Sequence, residues 1–261
     1  MNRNEYLKRI GIEKIENEQS YEVLAKLQFA HLTTVPYENL DLIHGVALSL
    51  KVEDIYKKVV GNHRGGYCFE VNCLFQWLLD KFGFETTAYF ARFWRGEEGI
   101  PMKRHRIVRA ELPDGSYICD VGIGSKAPKF PLKLEENTVQ TGYGESYKMV
   151  RDKDFGWMVY EFTKGEWQKY YSFHEIPADE IDFVTTSYYC EAHPESKFNK
   201  THIVSVKTEN GRRTINDRDY KEFIGDDVTF VEENMSDERI DTILKERFGI
   251  VVNEWLFDGQ I

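Results

Sequence analysis

Apolar residues recur with a helical period in the first third of the chain and with a strand period in the middle. In CFEVNCLFQWLLDKFGF, Val71, Leu74, Phe75, Leu78, Leu79 and Phe82 fall at i, i+3, i+4, i+7, i+8 and i+11. That single stripe predicts an amphipathic helix stopped by Gly83. Upstream, Ser20 is placed to cap a helix carrying Val23, Leu24, Leu27 and Ala30, with Pro36 beyond its end, and VEDIYKKVV predicts a second, shorter one. From about residue 85 the period changes. TAYFARFW, RIVRAEL, SYICDVGI, SYKMVR, WMVYEF and WQKYYSF are short, rich in β-branched and aromatic residues, and divided by PDGS, DKDFG and TKGE. They predict an antiparallel meander or small barrel. HIVSVKT and RRTIND then predict a hairpin across ENG, and a helix capped by Ser236 runs through ERIDTILKERF to Gly249. Helices, then strands, then a mixed tail make an α+β chain, not a βαβ parallel sheet.

Composition narrows the function classes. The 261 residues are 41% hydrophobic and 14% aromatic, which is globular, and the net charge of -10 leaves Lys and Arg scattered among acids. No basic patch of the kind that tracks nucleic acid is visible, so nucleic acid is set aside. No stretch approaches a membrane span and the first residues have no signal-peptide core, so a cytoplasmic protein is expected. Four cysteines (Cys68, Cys73, Cys119, Cys190) make no disulfide framework. The Cys68–Cys73 spacing lacks the histidines that a zinc site would need, so no metal is expected.

Cys68 stands apart from the other three. It follows Arg64-Gly65-Gly66-Tyr67 and opens the strongest predicted helix. A helix N-terminus carries partial positive charge and unpaired N–H groups, which favours a thiolate and offers donors to an oxyanion. Such a nucleophile needs a histidine, and the histidine an acceptor that fixes its tautomer. His31, His44, His63, His105, His174, His193 and His202 are the candidates. His105 begins the strand RIVRAEL and Asp120 ends SYIC, and the PDGS turn brings both to one end of a hairpin. A regular hairpin centred between Asp114 and Gly115, however, sets Asp120 opposite Arg109 and His105 opposite Gly124. That four-residue mismatch is roughly 13 Å of strand, so the pair needs a bulge or a shifted register.

The chain resembles the arylamine N-acetyltransferases. PYENLD at residues 36–41 is similar to the family's P-F-E-N-L segment, and RGGYCFEVN at 64–72 to its R-G-G-x-C-F/Y-E-x-N nucleophile motif. YICDVGIG is similar to its Y-x-x-D-V-G-F-G motif, and SYYCEAHPESKF to the segment that leads into its third domain. The resemblance implies a helical domain at 1–84 carrying the nucleophile, a β-barrel domain at 85–190 carrying the His and Asp, and an α/β lid at 191–261. It implies Cys68 as acyl acceptor, His105 as base and Asp120 as orienting carboxylate. The implied reaction is a ping-pong transfer of acetyl from acetyl-coenzyme A to an aromatic amine or hydrazine. Coenzyme A is then expected at Met102 and at Gly122, Ile123, Gly124 and Ser125. Tyr37, Tyr67, Phe69 and Ile123 are expected around the aromatic substrate, and an Arg64–Glu38 pair is expected to clamp the nucleophile's turn. Tyr37, Ile123 and Ser125 depart from the family's commoner Phe, Phe and Gly, and the last two bear on substrate preference. A thiol hydrolase or transglutaminase-like enzyme with the same triad is the rival reading.

Overall fold

Ser20 accepts a hydrogen bond from Val23 N–H and starts α2 (Tyr21–Thr34), as its position predicts; α1 (Arg3–Arg9) precedes it. These belong to a computed structural model that describes residues 1–16, 18–96 and 98–251. Next come the two-residue strand β1 (Tyr37–Glu38), then α3 (Leu40–Ile43), and then α4 (Val52–Tyr56), which runs on into a wider π-type turn over Lys57–Gly61. The periodic stripe becomes α5 (Cys68–Lys81), which ends at Phe82 and Gly83. All six stripe residues are buried, against Val23, Leu24 and Leu27 of α2 on one side and against strand residues Val108, Ala110 and Cys119 on the other. Each such side chain contributes about 1.5–3 kcal/mol relative to leaving it exposed. The stripe therefore anchors the nucleophile's helix to the sheet.

The middle of the chain forms one antiparallel sheet from β2 (Thr86–Phe93), β3 (Lys103–Leu112), β4 (Gly115–Cys119), β5 (Leu132–Lys133), β6 (Val139–Gly142), β7 (Glu145–Asp152), β8 (Gly156–Thr163) and β9 (Glu166–Pro177). Its order is β5-β4-β3-β2-β9-β8-β7-β6. The two edge strands are joined by Gln140, whose side chain accepts from Lys133 N–H and donates to Lys133 C=O at 2.7 and 2.8 Å. The sheet is thus a nearly closed barrel, filled by Tyr89, Ile107, Ile118, Tyr147, Met149 and Tyr171 among others. Successive residues of β3 leave opposite faces: Ile107 enters the barrel, whereas Val108 and Ala110 meet the helices.

After α6 (Asp182–Ala192), β10 (Ile203–Lys207) and β11 (Gly211–Asn216) form the predicted hairpin. Two strands that the pattern did not predict extend it, β12 (Asp219–Ile224) and β13 (Asp227–Glu232). The inner face of this sheet packs on α7 (Asp237–Phe248) through Val204, Ile215, Tyr220, Ile243 and Leu244. At its other edge β10 pairs with β1, so a sheet made mainly by the C-terminal third takes its last strand from the N-terminal third. The α+β architecture agrees with the sequence reading. Residues 252–261 of the expected third segment lie outside the described residues. Among the described residues, no helix is long and apolar enough to cross a membrane.

Candidate active site

Cys68 is the first residue of α5, and its turn is held by packing and by charge. Gly65 lies where an added Cβ would come 2.0 Å from the Pro36 carbonyl oxygen. Only glycine admits the close approach in which Gly66 N–H donates to Pro36 C=O and Glu38 N–H to Gly66 C=O. The PYENLD and RGGYC segments are thereby one structural unit. Arg64 crosses between them, donating from Nε to Glu38 at 2.9 Å and from Nη2 to Asp41 at 2.9 Å. Lys58 joins Asp41 at 2.6 Å and Glu70 at 2.8 Å, and Glu70 in turn accepts from Tyr67 N–H at 2.9 Å. Burial lowers the Lys58 pKa, but Glu70, Glu38 and Asp41 outweigh it and hold the amine above the usual lysine value. The expected Arg64–Glu38 contact is present. Its extension through Asp41, Lys58 and Glu70 was not foreseen, although the ring of two cations and three carboxylates lies almost wholly in the two recognised motifs.

His105 sits on β3 and Asp120 just past the end of β4, and their side chains meet, Nε2 to Oδ2, at 2.7 Å. The expected hairpin centre is wrong by one residue. Leu112 pairs with Gly115, so the turn is Pro113-Asp114 and paired numbers sum to 227, as in Val108↔Cys119. The signal was in the turn itself: proline favours the second position of a type I turn and glycine the fourth. The shift halves the mismatch, and the remaining two residues are spanned by the side chains after Asp120 leaves the strand.

Asp120 is completely engaged. Its Oδ1 accepts from Gly122 N–H at 2.8 Å and from Asn72 Nδ2 at 3.0 Å. Asn72 also donates to the Arg106 carbonyl at 2.6 Å and accepts from Val121 N–H at 2.9 Å. This asparagine, one turn along α5 from Cys68, ties the nucleophile's helix to the carboxylate. It stands in the quoted RGGYCFEVN motif, yet spacing alone assigned it no role. Gly122 completes the join: a Cβ there would lie 2.4 Å from Asn72 Nδ2 and 3.0 Å from Cys68 Cα. The Cys68 thiol faces the Arg104 carbonyl, beside His105, at 3.8 Å. Cys68, His105 and Asp120 are therefore brought to one place, each at most 4% exposed.

The thiolate expected from the helix N-terminus is not what this closed site favours. Burial pushes the Cys68 thiol well above its ordinary value and Cys190 pushes the same way; Tyr67 pulls it down by less than either, and Asp120 raises it by less again. A helix terminus supplies at most ~2 kcal/mol, whereas full burial shifts a thiol by several pKa units. Cys190, which carried no sequence signal, shares the buried cluster of Cys68, Tyr37, Tyr67, Phe69 and Phe183. Of the residues expected around an aromatic substrate, Tyr67 and Phe69 are 1% and 0% exposed and pack on Phe198 and Phe183. Tyr37 touches Tyr67 at 6.1 Å between centroids, and Ile123 is half-buried between two cores. Met102 is exposed just before β3. Gly122 to Ser125 lead away from Cys68, and Ser125 N–H donates to Ser205 Oγ at 2.9 Å.

Ser125 also lines a cavity of about 450 Å³ whose walls include Arg95, Lys126, Lys129, Lys207 and Arg212. Glu161 and Glu145 pair with Arg95 and Lys207 there. Burial nonetheless depresses Lys126, Lys207 and Arg212, the mark of cations gathered where water is scarce. The cluster was invisible in sequence, since its members come from four separate segments.

A family model described as N-acetyltransferase matches residues 20–257. The arylamine N-acetyltransferase of Mycolicibacterium smegmatis is 31% identical over 251 residues, covering 94% of this chain and 90% of that protein. The Mycobacterium bovis protein of the same name is 32% identical over 237 residues, covering 88% and 83%. Among solved structures, the arylamine-N-acetyltransferase from M. tuberculosis superposes with a TM-score of 0.91 at 30% identity, covering 97% of this chain and 94% of that one. The Mycobacterium marinum arylamine N-acetyltransferase in complex with CoA gives 0.90 at 27% identity, with the same coverage. Matched over nearly its whole length, the chain belongs to the arylamine N-acetyltransferase family.

Proposed function

We propose that this protein moves an acetyl group from acetyl-coenzyme A to the nitrogen of an arylamine or arylhydrazine, in two half-reactions through an acetylated Cys68. The observation that carries the reading is the His105–Asp120 bond of 2.7 Å, locked by Asn72 and Gly122 against the helix that begins with Cys68. Asp120 occupies Nε2 of His105, which leaves Nδ1 for proton transfer. The buried thiol keeps its proton until the imidazole removes it. As His105 takes that proton, sulfur attacks the acetyl carbonyl carbon. The carbon–sulfur bond to coenzyme A then breaks, and the leaving thiolate receives the proton from His105. One thioester replaces another, so this half-reaction is nearly isoenergetic. An arylamine is largely neutral at pH 7 and needs no prior deprotonation. Its nitrogen attacks the acetyl-cysteine, its proton passes to His105 as the tetrahedral intermediate collapses, and the Cys68 sulfur is reprotonated.

Coenzyme A is assigned to the path from Gly122 to Ser125, with its phosphates in the basic cavity at Lys126, Lys207 and Arg212. Phosphate charge would compensate cations that burial leaves strained. Ile123, in place of a larger aromatic, borders the end of that path nearest the thiol. Initial rates at several fixed arylamine concentrations test the scheme. Parallel double-reciprocal lines in acetyl-coenzyme A are expected. Intersecting lines, which mean that both substrates must be bound at once, would overturn it.

A further inference from the structure

On the face of β3 opposite His105, Arg106 is 1% exposed and gripped from one end. Its Nη1 donates to Glu180 at 2.7 Å, and Nη2 donates to Glu180 at 2.6 Å and to Gln76 at 2.7 Å. Phe183 covers the guanidinium at 4.7 Å, and the Nε–H has no acceptor among the described residues. A buried cation has to stay paired, because stripping it of both water and partner is costly. Yet the side chain of its partner Glu180 is 57% exposed, in the approach to α6. The counter-ion thus reaches in from solvent and is free to leave if another anion takes its place.

Beside this pair lies a cavity of about 610 Å³, within the size range of small-molecule sites. Leu48, Leu50, Trp77, Ile181 and Val184 form its apolar walls, and Arg106 and Glu180 supply a polar end. Cys73 also faces that end and donates to Glu180 at 3.5 Å; burial pushes this thiol up to about 12, so it is a neutral donor. None of Cys68, His105 and Asp120 lines the cavity. The exposed Lys51, Glu53 and Asp80 also line the cavity, so Arg106 is its one buried charge, and apolar walls around one buried cation select an amphipathic ligand. A flat guanidinium that keeps one N–H unused and is neutralised by a displaceable carboxylate selects a planar anionic head. An alcohol of the same length cannot neutralise the buried charge, and an ammonium would face Arg106.

We propose that this cavity is a second small-molecule site, taking an apolar molecule that ends in a carboxylate, which displaces Glu180 from Arg106. The body of the ligand lies between Trp77 and Val184, and Glu180 turns out to water. Charge on the guanidinium is balanced before and after the exchange. No covalent bond to the protein is made or broken, and the site stands back to back with the acetyl-transfer centre across β3.

Calorimetric titration with octanoate and with octanol tests the assignment on the wild type, Glu180→Ala and Val184→Trp. Octanoate should bind the wild type and bind Glu180→Ala about tenfold more tightly, because the competing carboxylate is gone. Octanol should show no such gain. Val184→Trp, which fills the cavity from an exposed position, should lose octanoate binding with acetyl transfer unchanged. If Glu180→Ala does not fold, the wild type and Val184→Trp still decide. The proposal is overturned by equal affinity for octanoate and octanol, by no octanoate binding to the wild type, by weaker binding to Glu180→Ala, or by binding that survives Val184→Trp.

Discussion

Replacing Glu38 by Gln probes the clamp behind the nucleophile, because neither orientation of the amide satisfies the site. Glu38 Oε1 accepts from Arg64 Nε, and Oε2 accepts from Leu40 N–H at 2.8 Å. An amide offers one oxygen, so its NH₂ group must face one of these donors. The side chains of Arg64 and Glu38 are 3% and 0% exposed, so water cannot repair the mismatch. Loss of a charge-assisted bond and one orphaned donor each cost about 1–3 kcal/mol. Asp41 remains 2.9 Å from Arg64 and keeps the cation from being wholly unpaired, which places the sum near ~3 kcal/mol. For a chain of this size each kcal/mol lowers Tm by about 2–4 °C, so calorimetry should find a fall of about 6–12 °C. The double variant Glu38→Gln with Arg64→Met should recover part of it. A fall of less than about 2 °C would show that Glu38 and Arg64 act as independent charges.

Asn72→Ala removes the donor to Asp120 and the acceptor for Val121; kcat/KM for acetyl transfer should fall about 10–100-fold, and an unchanged value would remove Asn72 from the positioning role. Lys126→Gln should raise KM for acetyl-coenzyme A about tenfold and leave KM for the arylamine alone; equal changes in both would place the phosphates elsewhere. His31, bonded to Tyr6 at 2.7 Å, is lowered from 6.5 to about 3, first by burial and then by Arg9. The unfolded chain binds its proton first, so this stabilising contribution is complete above pH 6.5 and is lost as pH falls towards 3, by up to about 1.4 kcal/mol per pH unit. Urea midpoints should show a shallower acid decline in His31→Gln than in the wild type, and identical slopes would contradict the assignment.

The α5 stripe and the barrel strands were legible because each repeats one period over many residues. β12 and β13 were not. They alternate weakly, and most of β13 is exposed on its outer edge, so no buried face writes itself into the sequence. The hairpin register turned on one residue of turn geometry, which Pro113 and Gly115 encode and a symmetric reading of PDGS misses. Cys68 was legible from its glycines and helix start, but its protonation was not. Burial by Phe183 and Cys190 comes from a distant segment, α6, and it exceeds the local dipole. Pairings such as Arg106 with Glu180, or Lys207 with Glu145, join residues more than 60 positions apart. No short motif could carry them.

Whether Cys68 itself becomes acetylated is decided by intact mass after mixing the protein with acetyl-coenzyme A in the absence of any amine. The account predicts one added acetyl group, located on the peptide containing Cys68, absent in Cys68→Ser and discharged when an arylamine is added. A wild-type protein that turns over arylamine yet never carries that group, or carries it equally in Cys68→Ser, would contradict it.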